Sequence, residues 1–463
     1  MEDSFTVKTK ELCLTRHRAG TLRELWAIAW PLMLASFSGT LMTFIDRVVL
    51  ARYQSAAFDA CAAAQPWYWT FESTLMAFVV CAEIIIGRFN GAKQYKKIGP
   101  AVWQMVTISF ATSLMLYPLA HNAHYLLADN IEKLGLPYLQ LLFLTLPFEM
   151  AAFGAIGAFF VGRGDTKKIP IVLLTESIIN FVLDIWLVFG GLGVPALGIV
   201  GAALATNIAH ICSFLIFLGL FLRKKYREKY AINTYYWSWD FLRQCFHIGM
   251  PNVVCCGVWM SGWALTYQFF SLKVPPYLYK AYCIAFTVYN FMFFVMDGLG
   301  KSVGTLCANF IGSHQRNMLG KVLKQSIWLT AIFSFVFFTL LLFSSSIVRL
   351  LAPESLWDNE VFNYQVKLYL VWYWVLFILH TLCFCAEFFL FALMKTKIVL
   401  VLKVTFSWGM ELIPMYFLVM YMHCNPVVYL ELSCLSNVLL LLMFFWWYRK
   451  KTWLKPYKIE QGS

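Results

Sequence analysis

Twelve runs of mostly apolar residues, each long enough to cross a bilayer as a helix, alternate along this chain with short polar stretches. A hydrocarbon core needs roughly 20 apolar residues in helical form. The runs 24–50, 57–87, 99–119, 135–161, 169–190, 198–222, 244–270, 278–311, 321–349, 364–394, 398–422 and 425–447 meet that need. The pattern therefore predicts an all-α membrane protein of twelve transmembrane helices.

The breaks in this pattern are more informative than the pattern itself. Asn180 and Asp184 stand four residues apart inside the fifth run, a spacing that puts both on one helix face. Asp46 lies deep in the first run. An intramembrane carboxylate costs ~2.5–3.5 kcal/mol even on lenient insertion scales, so such residues face a bundle interior and bind or move something. Two aspartates and an asparagine with no fixed positive partner on their face predict a cation site.

Composition supports the membrane reading: 60% of the 463 residues are hydrophobic and 13% charged, against about 45–50% and about 25% in soluble chains. The net charge of +13 changes the picture only through its distribution. Basic stretches at 93–97, 163–168, 223–229, 395–397 and 449–458 occupy alternate loops, whereas 190–198 and 421–426 carry few or no basic residues. That asymmetry is the positive-inside pattern. It predicts both termini in the cytoplasm and a plasma-membrane location (the inner membrane in a bacterium), with the lipid bilayer and no nucleic acid as partner. The first twenty-odd residues lack the features of a cleaved signal. Thirteen cysteines fall almost entirely within apolar runs, and neither Cys255–Cys256 nor Cys383–Cys385 has metal-ligand spacing, so they read as small hydrophobes.

The chain also repeats itself. Phe89-Asn90-Gly91-Ala92-Lys93-Gln94, then Gly99 and Gln104, returns in the second half as Phe310-Ile311-Gly312-Ser313-His314-Gln315, then Gly320 and Gln325, with a constant offset in residue number of 221. Pro31 and Pro251 mark the first helix of each half, and Thr166-Lys167 and Thr396-Lys397 precede each fifth helix. The predicted organisation is a cytoplasmic segment 1–23, an N-lobe 24–222, a linker 223–243, a C-lobe 244–447 and a basic tail 448–463. Six helices per half keep both halves in one orientation, a parallel repeat that places a substrate site near the midplane between rocking lobes.

In the N-lobe, Asp46, Asn180, Asp184 and Thr206 supply oxygens of the kind a hard cation such as Na⁺ takes, and protons need only the carboxylates. Glu176, one turn before Asn180, extends the stripe as a supporting member or a proton relay. For each residue alone, the alternative is a side chain bonded to backbone. Arg47, turned about 100° from Asp46, reads as an interfacial anchor. The positions matching Asn180 and Asp184 in the second half are near Met410 and Pro414, so the site is not duplicated. That half instead offers Asp297 and Lys301 at i,i+4, read as an internal ion pair or a substrate group, and Glu387, which has no local partner and reads as a substrate counter-charge. Lys403 and Glu411, eight apart on one face of helix eleven, read as residues near its opposite ends. Aromatic faces attract organic cations, and Trp259 and Trp263, mid-helix on one face, are placed in the substrate cavity.

These residues resemble the multidrug and toxic compound extrusion (MATE) transporters. The resemblance is carried by Glu24 through Pro31 to Asp46, by Phe89–Gly99, and most specifically by Gly162–Lys167, Pro170, Asn180, Asp184 and the stretch Leu197–Thr206. It implies a V-shaped fold of two six-helix lobes and export of small organic, often amphipathic or cationic, compounds in exchange for Na⁺ or H⁺. It also implies a bend at Pro31 and cation ligands at Asp46, Asn180, Asp184 and Thr206. A branch of the family places an acid on helix seven and another on helix ten. Here Trp259 stands at the first, and the second falls near the non-acidic Cys383, with Glu387 one turn further along. This departure favours N-lobe coupling.

Two other functions compete. A flippase for lipid-linked saccharides, in the same superfamily, lines its cavity with several basic residues, and only Lys301 is offered here. A membrane enzyme using His380 as base lacks a nucleophile or second acid at fixed spacing. The expectation is a non-enzymatic, monomeric antiporter without a cofactor beyond its coupling ion.

Overall fold

The computed structural model describes residues 15–451, except 128, 192, 352–355 and 423. Most of the segment 1–23 and of the basic tail 448–463 thus lies outside the described residues. Twelve helical spans follow one another: α1 Leu22–Tyr53, α2 Ser55–Val79 continued by Cys81–Gly91, α3 Ile98–Ala111 with Ser113–His121, and α4 Asp129–Glu149, running through a π-helical turn Met150–Ile156 into Gly157–Gly162. Then come α5 Lys168–Phe189, α6 Ile199–Phe221, α7 Trp239–Lys273, α8 Pro276–Phe291 with Phe293–Gly312, α9 Leu319–Leu341, and α10 Glu360–Ala392. The chain closes with α11 Thr396–Lys403 through a π-helical Val404–Leu412 to Ile413–Met420, and α12 Val427–Arg449. Among the described residues, eleven of these are long and apolar enough to cross a membrane. The twelfth, α7, is 35 residues long and opens on a more polar stretch, Trp239–His247.

Local chemistry explains the ends. The Thr21 hydroxyl caps α1 by accepting from the Glu24 N–H, and the Glu24 carboxylate accepts in turn from the Gly20 N–H at 2.7 Å. The side chains of Ser238 and Asn359 cap α7 and α10 by accepting from the N–H groups of Phe241 and Phe362. Four spans end with one residue in the left-handed region and a 6→1 backbone bond. After α2 and α8 these are Lys93 and His314, with Gln94 N–H to Phe89 O and Gln315 N–H to Phe310 O both at 2.8 Å. After α4 and α10 they are Gly164 and Met394, with Asp165 to Phe160 and Lys395 to Leu390 both at 2.9 Å. The repeat visible in the sequence is thus reproduced bond for bond, at an offset of 221 for the first pair and 230 for the second.

Pro31 and Pro251 lie inside the first helix of each half, where a proline deprives the backbone of a donor. Pro251 leaves the carbonyl of His247 without its helical partner, and the Thr396 hydroxyl supplies one at 3.0 Å. In the first half the Thr166 hydroxyl donates to the Ile28 carbonyl, one turn before Pro31, at 3.3 Å. The matched threonines therefore dock the fifth helix of each half onto the proline region of its first helix.

The halves meet where α1, α2 and α3 face α7, α8 and α9. Near the ends that carry the basic loops, α2 and α8 cross at backbone distance. A Cβ on Gly91 would sit 2.1 Å from the Asn309 carbonyl oxygen, and one on Gly312 would sit 2.2 Å from that of Arg88. Subtracting 221 from 312 and 309 gives 91 and 88, so the two contacts are mates across a two-fold axis. Asn90 Nδ2 donates to Asn309 Oδ1 at 2.7 Å, and the Arg88 guanidinium donates to the Ala392 carbonyl. Midway along, Ser36 Oγ donates to Asp297 Oδ2, Asn252 Nδ2 donates to the Ala77 carbonyl at 2.8 Å, and Phe37 packs edge-on against Phe291 and Phe294. Further along α1, Arg47 turns to its own half. The two six-helix lobes thus form a V joined at the basic-loop end.

Candidate functional site

Three polar regions lie inside this helical frame. The first joins the residues that the sequence singles out. Asp46 on α1, Asn180 and Asp184 on α5 and Thr206 on α6 are all buried. Asn180 Nδ2 donates to Thr206 Oγ1 at 3.3 Å, and Thr206 Oγ1 donates to the Ala202 carbonyl at 3.1 Å. The Asp46 carboxyl lies within interaction range of both Asp184 and Asn180. Asp46 Oδ1, Asn180 Oδ1 and both carboxyl oxygens of Asp184 have no hydrogen-bond partner. Four unsatisfied oxygens in a dry interior are costly unless something fills the space between them. Such a donor set fits a small hard cation or shared protons. Arg47 is not a free interfacial anchor: its Nε donates to Gln65 Oε1 at 3.0 Å and its guanidinium lies over Trp69.

The second region, also in the N-lobe, extends the stripe through Glu176. Glu176 Oε1 is 2.8 Å from His210 Nδ1, His210 Nε2 is 3.8 Å from Glu149 Oε2, and Tyr68 Oη donates to that same oxygen at 2.6 Å. Glu72 on α2 lies within electrostatic range of Glu149 and His210. Of these, only Glu176 belongs to the stripe read from the sequence. Glu72, Glu149 and His210 are visible by the same rule that picks out Asp46, as ionisable residues inside apolar runs.

The third region is a cavity in the C-lobe between α7, α10, α11 and α12, with a volume of about 80 Å³. Trp259, Trp263 and Glu387 line it, together with Lys403, Glu411 and His380. Glu387 does have a partner, contrary to its reading as an unpaired counter-charge: Lys403 Nζ is 2.7 Å from Glu387 Oε2 and lies over both Trp259 and Phe384. Lys403 and Glu411 do not simply mark opposite ends of α11, since both face the cavity. The π-helical turn Val404–Leu412 follows Lys403 and contains Glu411, and the two side chains share the cavity face as their spacing implies. Glu411 accepts from Ser433 Oγ at 3.3 Å. His380 is held by Tyr289 Oη on Nδ1 and Asn437 Nδ2 on Nε2, the arrangement of a packed neutral imidazole.

Asp297 and Lys301 do not line this cavity. They form an ion pair at 2.9 Å on the seam between the lobes, where Ser36 also bonds Asp297 and Glu83 of α2 lies within electrostatic range of Lys301. Of the two readings of this pair, the internal ion pair is the one that the geometry carries. Pro31 lies within α1 just before this seam, where Gly298 of α8 packs against Met33. Among the described residues, no three His, Cys, Asp or Glu side chains converge as on a metal ion.

Comparison with known proteins gives this arrangement a context. The MatE family model matches residues 31–186 and 256–417, one stretch in each lobe. A probable multidrug resistance protein NorM of Thermotoga maritima is 22% identical over 340 residues, 72% of each chain. A probable multidrug resistance protein YoeA of Bacillus subtilis is 25% identical over 365 residues, covering 75% of this chain and 76% of its own. Among solved structures, a MATE in the straight conformation matches with a TM-score of 0.83 at 15% identity, covering 96% of this chain and 98% of that one. A MATE in the bent conformation matches with a TM-score of 0.80 at 14% identity, over 93% of this chain and 95% of that one.

Proposed function

This chain belongs to the MatE family of multidrug efflux transporters, and we propose that it is a secondary antiporter. It exports small amphipathic or cationic organic compounds in exchange for Na⁺ or H⁺ by alternating access between its lobes. The observation that carries the reading is the set of four unpartnered oxygens on Asp46, Asn180 and Asp184. Asp46, Asn180, Asp184 and Thr206 would hold the incoming ion, and a cation there draws α1 and α5 together through Asp46 and Asp184. A ligand shifts a conformational equilibrium only by its differential affinity for the two states. The α1 seam at Ser36 and Asp297, beside Pro31, is where that difference would reach the other lobe.

The substrate site in this reading is the C-lobe cavity. Its aromatic walls suit flat organic rings. The Lys403–Glu387 pair is internally neutral, which leaves Glu411 as the net negative charge for an organic cation. Lys301 and Lys403 are both matched by carboxylates, which tells against the flippase reading, since that reading needs free basic groups for a phosphate. With the basic loops cytoplasmic, the V opens outward. Sealed vesicles with Na⁺ and H⁺ gradients imposed separately test the proposal. Export by the parent should follow one gradient, and Asp46→Asn and Asp184→Asn should each abolish that dependence. Unchanged ion-driven export in both variants would sink the site.

A further inference from the structure

The chain of side chains from Tyr68 to Glu176 is left unused by that reading. It is contributed by four helices: Tyr68 and Glu72 from α2, Glu149 from α4, His210 from α6 and Glu176 from α5. Its exposure falls steadily inward, from 15% of the Glu149 side chain to 8% for His210 and 2% for Glu176. The open end points to the seam between the lobes, since Glu72 lies within electrostatic range of both Glu149 and Lys301. At the closed end, Glu176 is buried, with the Ser213 hydroxyl beside its carboxylate. Beyond Glu176 the same helix face continues through Asn180 to Asp184, in steps of ~6 Å along the axis.

The fold does not require these charges. With the shift of 230 that relates Thr166 to Thr396, Glu176 corresponds to Phe406 and His210 to Leu440. Tyr68 corresponds to Tyr289 with the shift of 221, and its partner Glu149 to His380, the partner of Tyr289. The difference 380 − 149 is 231, one more than 230, and the extra residue is taken up by the π-helical turn Met150–Ile156. The second lobe thus builds the same bundle and keeps the tyrosine contact, but replaces the buried acid and imidazole by apolar side chains. Groups dispensable for packing and costly to bury mark function. Nor do they converge on a metal ion among the described residues.

We propose that Glu149, His210 and Glu176 form a proton relay from the seam to the Asp46–Asp184 pair, so that the ion exchanged for substrate is a proton. A proton leaves the Glu149 carboxyl for Nε2 of neutral His210, making imidazolium. The Nδ1 proton then passes to Glu176 Oε1, the imidazole is neutral again with its proton on Nε2, and the ring resets by tautomerisation, the Nε2 proton being lost and one regained at Nδ1. The charged groups that face His210 are Glu72 from α2, Glu149 from α4 and Glu176 from α5, with Asp46 of α1 in electrostatic range and Arg47 beside it. The three carboxylates around the ring stabilise the transient imidazolium.

The inference rests on the ion site proposed above, and the experiment separates the two. His210→Gln and Glu176→Gln are reconstituted in sealed vesicles beside the parent and Asp46→Asn. The expected result is an initial rate of proton-driven export lower by at least about tenfold in both relay variants, with a larger solvent deuterium isotope effect. The final substrate accumulation and the substrate affinity of the folded protein stay at parental values. A relay changes how fast protons arrive, not the exchange ratio fixed at the aspartates. Parental rates in both variants would overturn the relay, as would substrate affinity and accumulation falling in step with rate. Export by the parent on a Na⁺ gradient alone would overturn the relay while leaving the ion site standing. Coupling retained in Asp46→Asn would remove the ion site, and with it the destination of the relay.

Discussion

Between α1, α5 and α6 the N-lobe holds Asp46, Asn180, Asp184 and Thr206, while between α7, α11 and α12 the C-lobe holds Thr266, Trp259, Lys403 and Ser436 around an open cavity. The two sets occupy matching places: Thr266 is separated from Asp46 by the same interval as Pro251 from Pro31, and Ser436 from Thr206 by the same interval as Thr396 from Thr166. One frame therefore carries two interiors, a tight and acidic one and an aromatic one with room for a ligand. Duplication accounts for the frame common to both halves, and the side chains at equivalent positions then diverged, one interior taking the ion and the other the substrate in the function proposed above.

The largest effect expected from breaking this contrast is in the acidic interior. Asp46→Asn together with Asp184→Asn should leave no gradient-driven export in vesicles, while substrate binding to the purified protein persists. A sharper version gives the N-lobe the apolar pair of the C-lobe. Glu176→Phe with His210→Leu should still fold, since replacing a buried ionic set by apolar groups is often neutral or stabilising by about 1–4 kcal/mol, yet proton-driven export should collapse. Loss of the folded protein by thermal melting would show instead that the charges are structural.

In the C-lobe, removing one member of the Lys403–Glu387 pair strands the other inside the cavity. Lys403→Met or Glu387→Gln alone should cost about 3 kcal/mol of stability, and the double variant should recover most of that. Equal melting temperatures for the singles and the parent would contradict the pairing. At the crossing of α2 and α8, Gly91→Ala and Gly312→Ala should each destabilise by about 1–3 kcal/mol, and by similar amounts, because each pushes a methyl group into the same type of carbonyl. The smallest effect is expected at Glu411. Glu411→Gln should weaken binding of a monocationic substrate about tenfold, or about 1.4 kcal/mol, and leave a neutral analogue unaffected.

The helical frame is legible in the sequence because membrane burial writes itself as length and hydropathy, and the two-fold plan because its turn residues recur at fixed intervals. The N-lobe aspartates are legible for the complementary reason, as polar residues where lipid or dry protein forbids them. Three relations are hidden. Lys403 and Glu411 share a face by their spacing, but only the packing of α7, α10 and α12 against α11 makes that face the wall of a cavity. Glu387 looks unpaired because its partner, Lys403, lies on the next helix, beyond the reach of an i,i+4 reading. Glu149 and His210 gain meaning only once α4 and α6 are packed together against Glu176.

At the crossing of Gly91 and Gly312, each glycine meets the backbone of the other half, and the two contacts are the same contact seen from opposite sides, as in an isologous homodimer. A half-length protein bearing a single copy of this segment would need no second gene to complete the seam, because a sister molecule would present the matching surface. The linker between the lobes then adds only a tether to an assembly that symmetry had already closed, and fusion freed each half to keep or discard its own buried charges.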